Sequence, residues 1–145
     1  MQFLVIPIVV YAVNQIIKFF VLIERRRKIL GGRFSWIFFW VGQFPSGHAA
    51  VLSSCMTLIY WRYGLNPIFG FCFFVSIMLL YGFLEDKKRQ RIFESYFIKS
   101  SDKALSAIVK EKILMDFSGH TFLDEAFGIM EGLVISLLLI YFFRL

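Results

Sequence analysis

The sequence predicts an all-α integral membrane bundle of about four transmembrane helices, accompanied by interfacial amphipathic helices. Three observations carry that expectation. Hydrophobic residues make up 59% of the 145-residue chain, nineteen of them Phe, whereas a soluble domain carries roughly 45–50%. Those residues gather in stretches of roughly 20, about what a helix rising ~1.5 Å per residue needs to cross ~30 Å of hydrocarbon. Most of the charge lies between the stretches, and the mean hydropathy is +0.71.

Four spans are expected, at approximately 3–23, 46–63, 67–84 and 120–143, within a single domain covering residues 1–145. The first contains Asn14, Gln15 and Lys18 and runs into Glu24-Arg25-Arg26-Arg27. It has no basic leader and no small-residue cleavage site, so it reads as a retained span and not a secretion signal. Gly31-Gly32 breaks the connection 24–45. The segment Phe34 to Phe44, with Trp36 and Trp40 one turn apart, is too short to span and suits the headgroup layer. Gly42 to Gly47 is a turn, with Ser46 placed to cap the second span. Gly64-Leu65-Asn66-Pro67 joins the second and third spans tightly. The connection 85–119 mixes charges with Ile92, Phe93, Tyr96, Phe97, Leu105, Ile108, Val109 and Ile113, a spacing that predicts amphipathic helices against the membrane surface.

The formal charge of +6 is unevenly placed. Five basic residues lie between Glu24 and Arg33 and eight between Glu85 and Gly119, while the second connection holds one, Arg62. With four spans the two basic connections share a side, which the positive-inside rule makes cytoplasmic. The location expected is therefore a bacterial-type inner membrane with the polar site facing the cytoplasm. The partners expected are the bilayer and an anionic lipid, not nucleic acid, and a homodimer is compatible with spans this short. Cys55 and Cys72 sit in separate apolar stretches and read as buried free thiols.

Only two histidines occur, and each stands in a phrase suited to phosphoryl transfer. In Pro45-Ser46-Gly47-His48, backbone N–H groups at a helix start form an anion site to which the Ser hydroxyl can add. His48 there can protonate a leaving oxygen; the plainer reading is an N-cap with an incidental imidazole. In His120-x-x-x-Asp124, a carboxylate one turn away can fix the tautomer of an attacking imidazole. Lys18 and Arg25 share one helical stripe with Asn14, although a Lys that snorkels and an ordinary basic flank would look alike. Glu131, seven positions past Asp124, lies deep in the last span and needs a partner; Lys18 or Asn14 is the obvious one. Glu125 falls near the helix start, on another face from Asp124. Lys87-Lys88-Arg89-Gln90-Arg91 reads first as a flank meeting lipid headgroups, and second as a source of a phosphate ligand. Zinc is disfavoured, because no dense ligand motif such as His-Glu-x-x-His is present. No metal and no other cofactor is expected.

Together these phrases resemble the type 2 phosphatidic acid phosphatase superfamily, the lipid phosphate phosphatases related to vanadium haloperoxidases. Its pattern is Lys-x6-Arg-Pro, Pro-Ser-Gly-His, then Ser-Arg-x5-His-x3-Asp. Lys18-x6-Arg25 matches the first without its Pro, Pro45 to His48 matches the second in full, and His120-x3-Asp124 ends the third. Ile113 and Leu114 stand where Ser-Arg belongs. The divergent branch of that superfamily fits better, through Gln15-x-x-Lys18 and Gly119-His120-Thr121, with Tyr81 and Lys88-Arg89 resembling its third-span phrase. The resemblance implies that Lys18, Arg25, Ser46 and Gly47 hold phosphate, with Lys88, Arg89 or Arg91 replacing the missing Arg. It further implies that His120 attacks phosphorus, Asp124 orients it, and His48 protonates the departing alkoxide and then activates water.

The function expected is a metal-independent phosphatase acting on a membrane lipid, of the phosphatidylglycerophosphate, phosphatidate or polyprenyl diphosphate type, through a phosphohistidine. The rival is a catalytically silent lipid-phosphate-binding protein, such as a transporter, scaffold or subunit. A purely structural membrane subunit is a third reading, for which the polar residues of the first span are superfluous.

Overall fold

The computed structural model describes residues 2–25, 44–99 and 120–143. They form four helices: α1 (Gln2–Arg25), α2 (Gly47–Tyr63), α3 (Pro67–Ile98) and α4 (Phe122–Phe143). No strand occurs among the described residues. The expected interfacial helix at 34–44 and the basic flank at 26–33 lie almost entirely outside them, as does the connection from residue 100 to 119.

Local chemistry sets the helix ends. Ser46 caps α2, its hydroxyl accepting the Ala49 N–H at 3.2 Å. Gly64, at φ 66°, ends α2 and donates its N–H to the Tyr60 carbonyl at 2.8 Å; a left-handed residue at this position suits glycine. Asn66 then caps α3 by accepting the Phe69 N–H at 2.7 Å, and Pro67 occupies the first turn, where its missing N–H costs nothing. The tight turn expected at 64–67 is therefore built from two caps.

α2 and α4 form the centre. Small residues let their backbones meet, since a Cβ on Gly128 would lie 2.3 Å from the Ser46 carbonyl oxygen, and one on Gly132 2.1 Å from that of Ala50. This is the small-residue crossing by which helices associate where no hydrophobic force separates protein from lipid. Two hydroxyl contacts support it: Ser136 Oγ donates to Ser54 Oγ at 2.8 Å, and Ser53 Oγ to the Ile129 carbonyl at 2.8 Å. α1 lies across both helices, adding Ile6 and Val10 to a core with Ala50, Leu58 and Ile140. α3 stands at the edge and packs mainly on α2.

Three of the four helices, over 3–21, 67–97 and 122–143, are long and apolar enough to cross a membrane, which makes the chain an integral membrane protein. Their outward faces carry Leu4, Phe71, Phe74, Met78, Phe122 and Phe142, all well exposed, as lipid-facing residues are. The expectation of four spans is met only in part. α2 has 17 residues, about 26 Å at ~1.5 Å each, and Ser53, Ser54 and Thr57 dilute its apolar character. A second difference concerns α3, expected to stop at residue 84. It continues to Ile98 through the charged segment, because neither Gly nor Pro interrupts the chain between Gly82 and Gly119.

Candidate active site

The end of α1, the start of α2, the middle of α3 and the start of α4 meet at one end of the bundle. The His48 and His120 rings lie there with centroids 5.8 Å apart and planes at 61°. Phe83 of α3 supports both. Its ring stacks on His48 at 4.6 Å and 30°, it meets His120 edge-on at 6.2 Å, and its carbonyl accepts the His120 N–H at 3.2 Å. His48 is exposed and His120 buried. Burial pushes the His120 imidazole down to about 4; the Lys18 cation, His48 and Lys87 add to that, and the Asp124 carboxylate opposes it. At neutral pH the ring is therefore uncharged and able to act as a nucleophile.

Lys18 reaches this corner from α1. Its Nζ lies 3.4 Å from where a Cβ on Gly47 would stand, and Asn14 Oδ1 lies 3.0 Å from the same point. A side chain at position 47 would thus separate Lys18 from the turn that carries His48. One turn deeper, Asn14 Nδ2 donates to Glu131 Oε2 at 2.7 Å. This is the bond between first and last spans expected for Glu131, with Asn14 as its hydrogen-bond partner and the Lys18 charge acting on it as well. Asn14 is fully buried, so the bond satisfies a donor that hydrocarbon would not.

Other predicted residues are used differently. Ser46 is fully buried. Its N–H donates to the Asp124 carbonyl at 3.0 Å and its hydroxyl accepts from Ala49, so its polar atoms fasten the turn to α4. Gly47 is buried as well. Lys18 is the described group that brings positive charge to this turn. Asp124 does not orient the imidazole here. Its Oδ2 accepts the Thr121 N–H at 2.7 Å while its own N–H donates to Thr121 Oγ1 at 3.3 Å, a reciprocal cap on α4 of the capping-box kind. His120 Nδ1 is buried without a hydrogen-bond partner. Glu125, near the start of α4, is 3% exposed and lies against Ser46. Arg25 closes α1, and its side chain lies outside the described residues.

One cavity opens beside His120, and a second lies farther along the bundle. The first, of about 450 Å³, opens beside His120 and Thr121 and is lined along α3 by Lys87, Lys88 and Arg91. Lys88 thus shares this cavity with His120. Arg89 is exposed and does not line the cavity, because it projects from another face of α3. The second, of about 490 Å³, is an apolar groove between α2, α3 and α4, reaching from Tyr60 and Leu65 to Leu80. Among the described residues, no three His, Cys, Asp or Glu side chains gather as a metal site.

Sequence reasoning placed Lys87 in the basic run 87–91 without singling it out, and passed over the capping role of Thr121. The signals were there: Lys87 and Arg91 are four apart and share a helix face, and Thr-x-x-Asp at a helix start is a capping phrase.

Neither the curated proteins nor the solved structures contain a match to this chain. Residues 1–135, nearly the whole sequence and every residue described around the imidazole pair, match the Divergent PAP2 family, and the chain belongs to that family, a branch of a phosphatase-related superfamily.

Proposed function

We propose that the protein removes a phosphate group from a membrane lipid through a phosphohistidine, at the cytoplasmic face of a bacterial-type inner membrane. The observation that carries this reading is the approach of the two imidazoles, 5.8 Å apart, beside the Lys18 ammonium. The apolar groove that ends one helical turn from Phe83 supports a lipid substrate, since its walls suit an acyl or prenyl chain.

In this mechanism His120 attacks phosphorus through Nε2, because Nδ1 is enclosed. The bond from phosphorus to the lipid oxygen breaks as the new N–P bond forms, and a protonated His48 gives its proton to that oxygen. His48, now neutral, takes a proton from water, whose oxygen attacks the phosphohistidine. Orthophosphate leaves, and both histidines return to their starting states. Lys18, with Arg25, neutralises charge on the equatorial oxygens, where most of the gain in phosphoryl transfer arises. Ser46, Gly47 and Asp124 act by holding the His48 turn and the start of α4 in register.

The test is phosphate release by purified protein from micelles of phosphatidate, phosphatidylglycerophosphate or polyprenyl diphosphate, with EDTA present. The expected result is turnover that vanadate inhibits and that His120→Ala or His48→Ala lowers by at least about 10²-fold. Variants as fast as the parent would end these assignments. A second reading, a silent lipid-phosphate-binding protein, has one observation in its favour: His120 Nδ1 has no partner while Asp124 holds Thr121. Lipid-phosphate binding without release would select it.

A further inference from the structure

Resting on the phosphatase reading, we propose that the Asn14 amide selects a phosphoryl group that keeps one hydroxyl. Its Oδ1 accepts a hydrogen bond from that P–OH, so the site rejects an oxyanion of the same shape that has no hydroxyl.

The orientation of the amide leads there. Asn14 is fully buried on α1, and its Nδ2 donates to Glu131 Oε2 at 2.7 Å. A carboxylate accepts and does not donate, so Glu131 holds the amide nitrogen toward α4 and leaves Oδ1 to the side of the His48 turn. There Oδ1 lies 3.0 Å from where a Cβ on Gly47 would stand, and Lys18 Nζ lies 3.4 Å from the same point. Oδ1 is buried and has no hydrogen-bond partner. A donor without an acceptor of its own and an acceptor without a donor therefore flank the glycine that precedes His48.

One ligand chemistry suits both. Because the two atoms flank a single point, two oxygens of one phosphoryl group can reach them together. The ammonium only donates and takes a charged oxygen; the amide oxygen only accepts and takes an oxygen that carries a proton. An anion without a hydroxyl would set a bare oxygen against Oδ1, two acceptors with no hydrogen between them in a place closed to water. A site built to pair a hydroxyl rejects the analogue that lacks it. The remaining acidic groups of this corner are otherwise engaged: Asp124 caps α4 through Thr121, and Glu125 lies against Ser46. The imidazoles of His48 and His120 are the other acceptors that face the bound group, and the test separates them from Asn14.

The experiment compares orthophosphate with sulfate on the full chain in detergent. Both are tetrahedral oxyanions, but at neutral pH only orthophosphate keeps a hydroxyl, and sulfate carries the greater charge, so Lys18 alone would favour sulfate. The readouts are inhibition of phosphatidate hydrolysis by each anion and its calorimetric binding. One such hydrogen bond is worth about tenfold, and the parent should bind orthophosphate at least that much more tightly than sulfate. Asn14→Leu/Glu131→Leu removes both partners of the buried bond together and should bring the two affinities within about twofold of each other. Gly47→Ala keeps that bond and sets a methyl group against Oδ1; it should lower the ratio as well, and it decides the matter if the double variant does not fold. A parent without preference, or one that binds neither anion, would overturn the proposal. So would a double variant that keeps the parent's ratio, which would assign the hydroxyl to an imidazole. A parent that releases no phosphate from lipid refutes the phosphatase reading alone, and the calorimetric ratios then decide whether Asn14 reads the hydroxyl.

Discussion

Replacing Gly132 by alanine tests whether the α2–α4 crossing holds the site together. The added Cβ would stand 2.1 Å from the Ala50 carbonyl oxygen, 2.9 Å from its carbon and 3.0 Å from its Cα. All three are backbone atoms, so no side-chain rotation can make room. Ordinary contact begins at 3.4 Å, so α4 must retreat by about 1.3 Å at this level. That retreat breaks the 2.8 Å hydroxyl contact between Ser136 and Ser54 one turn away. Overpacking costs about 1–3 kcal/mol, and the lost hydroxyl contact about 0.6 kcal/mol more. Alanine returns up to about 1 kcal/mol through its helix preference. The expected loss is about 2 kcal/mol, read as a lowered unfolding midpoint in detergent by circular dichroism. The proposed phosphatase activity should fall further than stability suggests, because a displacement near 1 Å at a reacting group can cost about 10²-fold. Gly82→Ala is the control: nothing lies within 4 Å of its Cβ position, so it should be neutral or stabilising by about 0.5–1 kcal/mol. A Gly132→Ala protein that unfolds and turns over like the parent would refute the close crossing.

Three further outcomes follow from the same structure. His120 protonates near 4 when folded and near 6.5 when unfolded, so its share of stability is intact above pH 6.5 and is lost as pH falls toward 4. Unfolding at pH 7, 5.5 and 4 should show a shallower decline for His120→Gln than for the parent, and identical slopes would count against the burial of this ring. For Ser54 and Ser136, a double-mutant cycle to alanine should give a coupling of about 0.6 kcal/mol, at most about 1.7, and a coupling of zero would remove their 2.8 Å contact from the account. Glu131→Leu leaves the buried Asn14 donor unpaired and should cost about 1–3 kcal/mol, whereas Glu131→Gln keeps an acceptor in place and should cost much less; equal losses would mean the bond contributes little.

Much of the site could be read from the sequence because the chemistry was scarce. With two histidines in 145 residues, a polar site using two imidazoles had to join His48 to His120, and a partner for Glu131 on the first span, Lys18 or Asn14, followed from the cost of a lone carboxylate in hydrocarbon. Side-chain hydrogen bonding was harder to foresee. Asp124 is one turn from His120, yet the N–H of Thr121 is closer and already orphaned at a helix start, so the carboxylate caps the helix. Ser46 likewise satisfies its own helix before any ligand. Helix ends were legible where Gly, Asn or Pro marked them, as at Gly64 to Pro67. The end of α3 carried no such mark, since charged residues are good helix formers and interrupt only the apolar pattern. The Gly128–Gly132 stripe shows why apolar periodicity alone does not give the core of such a bundle: the closest contacts form where side chains are missing.

Phe83 deserves a mechanical reading. One residue on the outermost helix serves as backstop to His48 and as tether to His120, while that helix is joined to its neighbours chiefly along α2. Any displacement of α3 therefore moves the supports of both imidazoles at once. The ring carries that displacement to His48, and the backbone carbonyl carries it to His120.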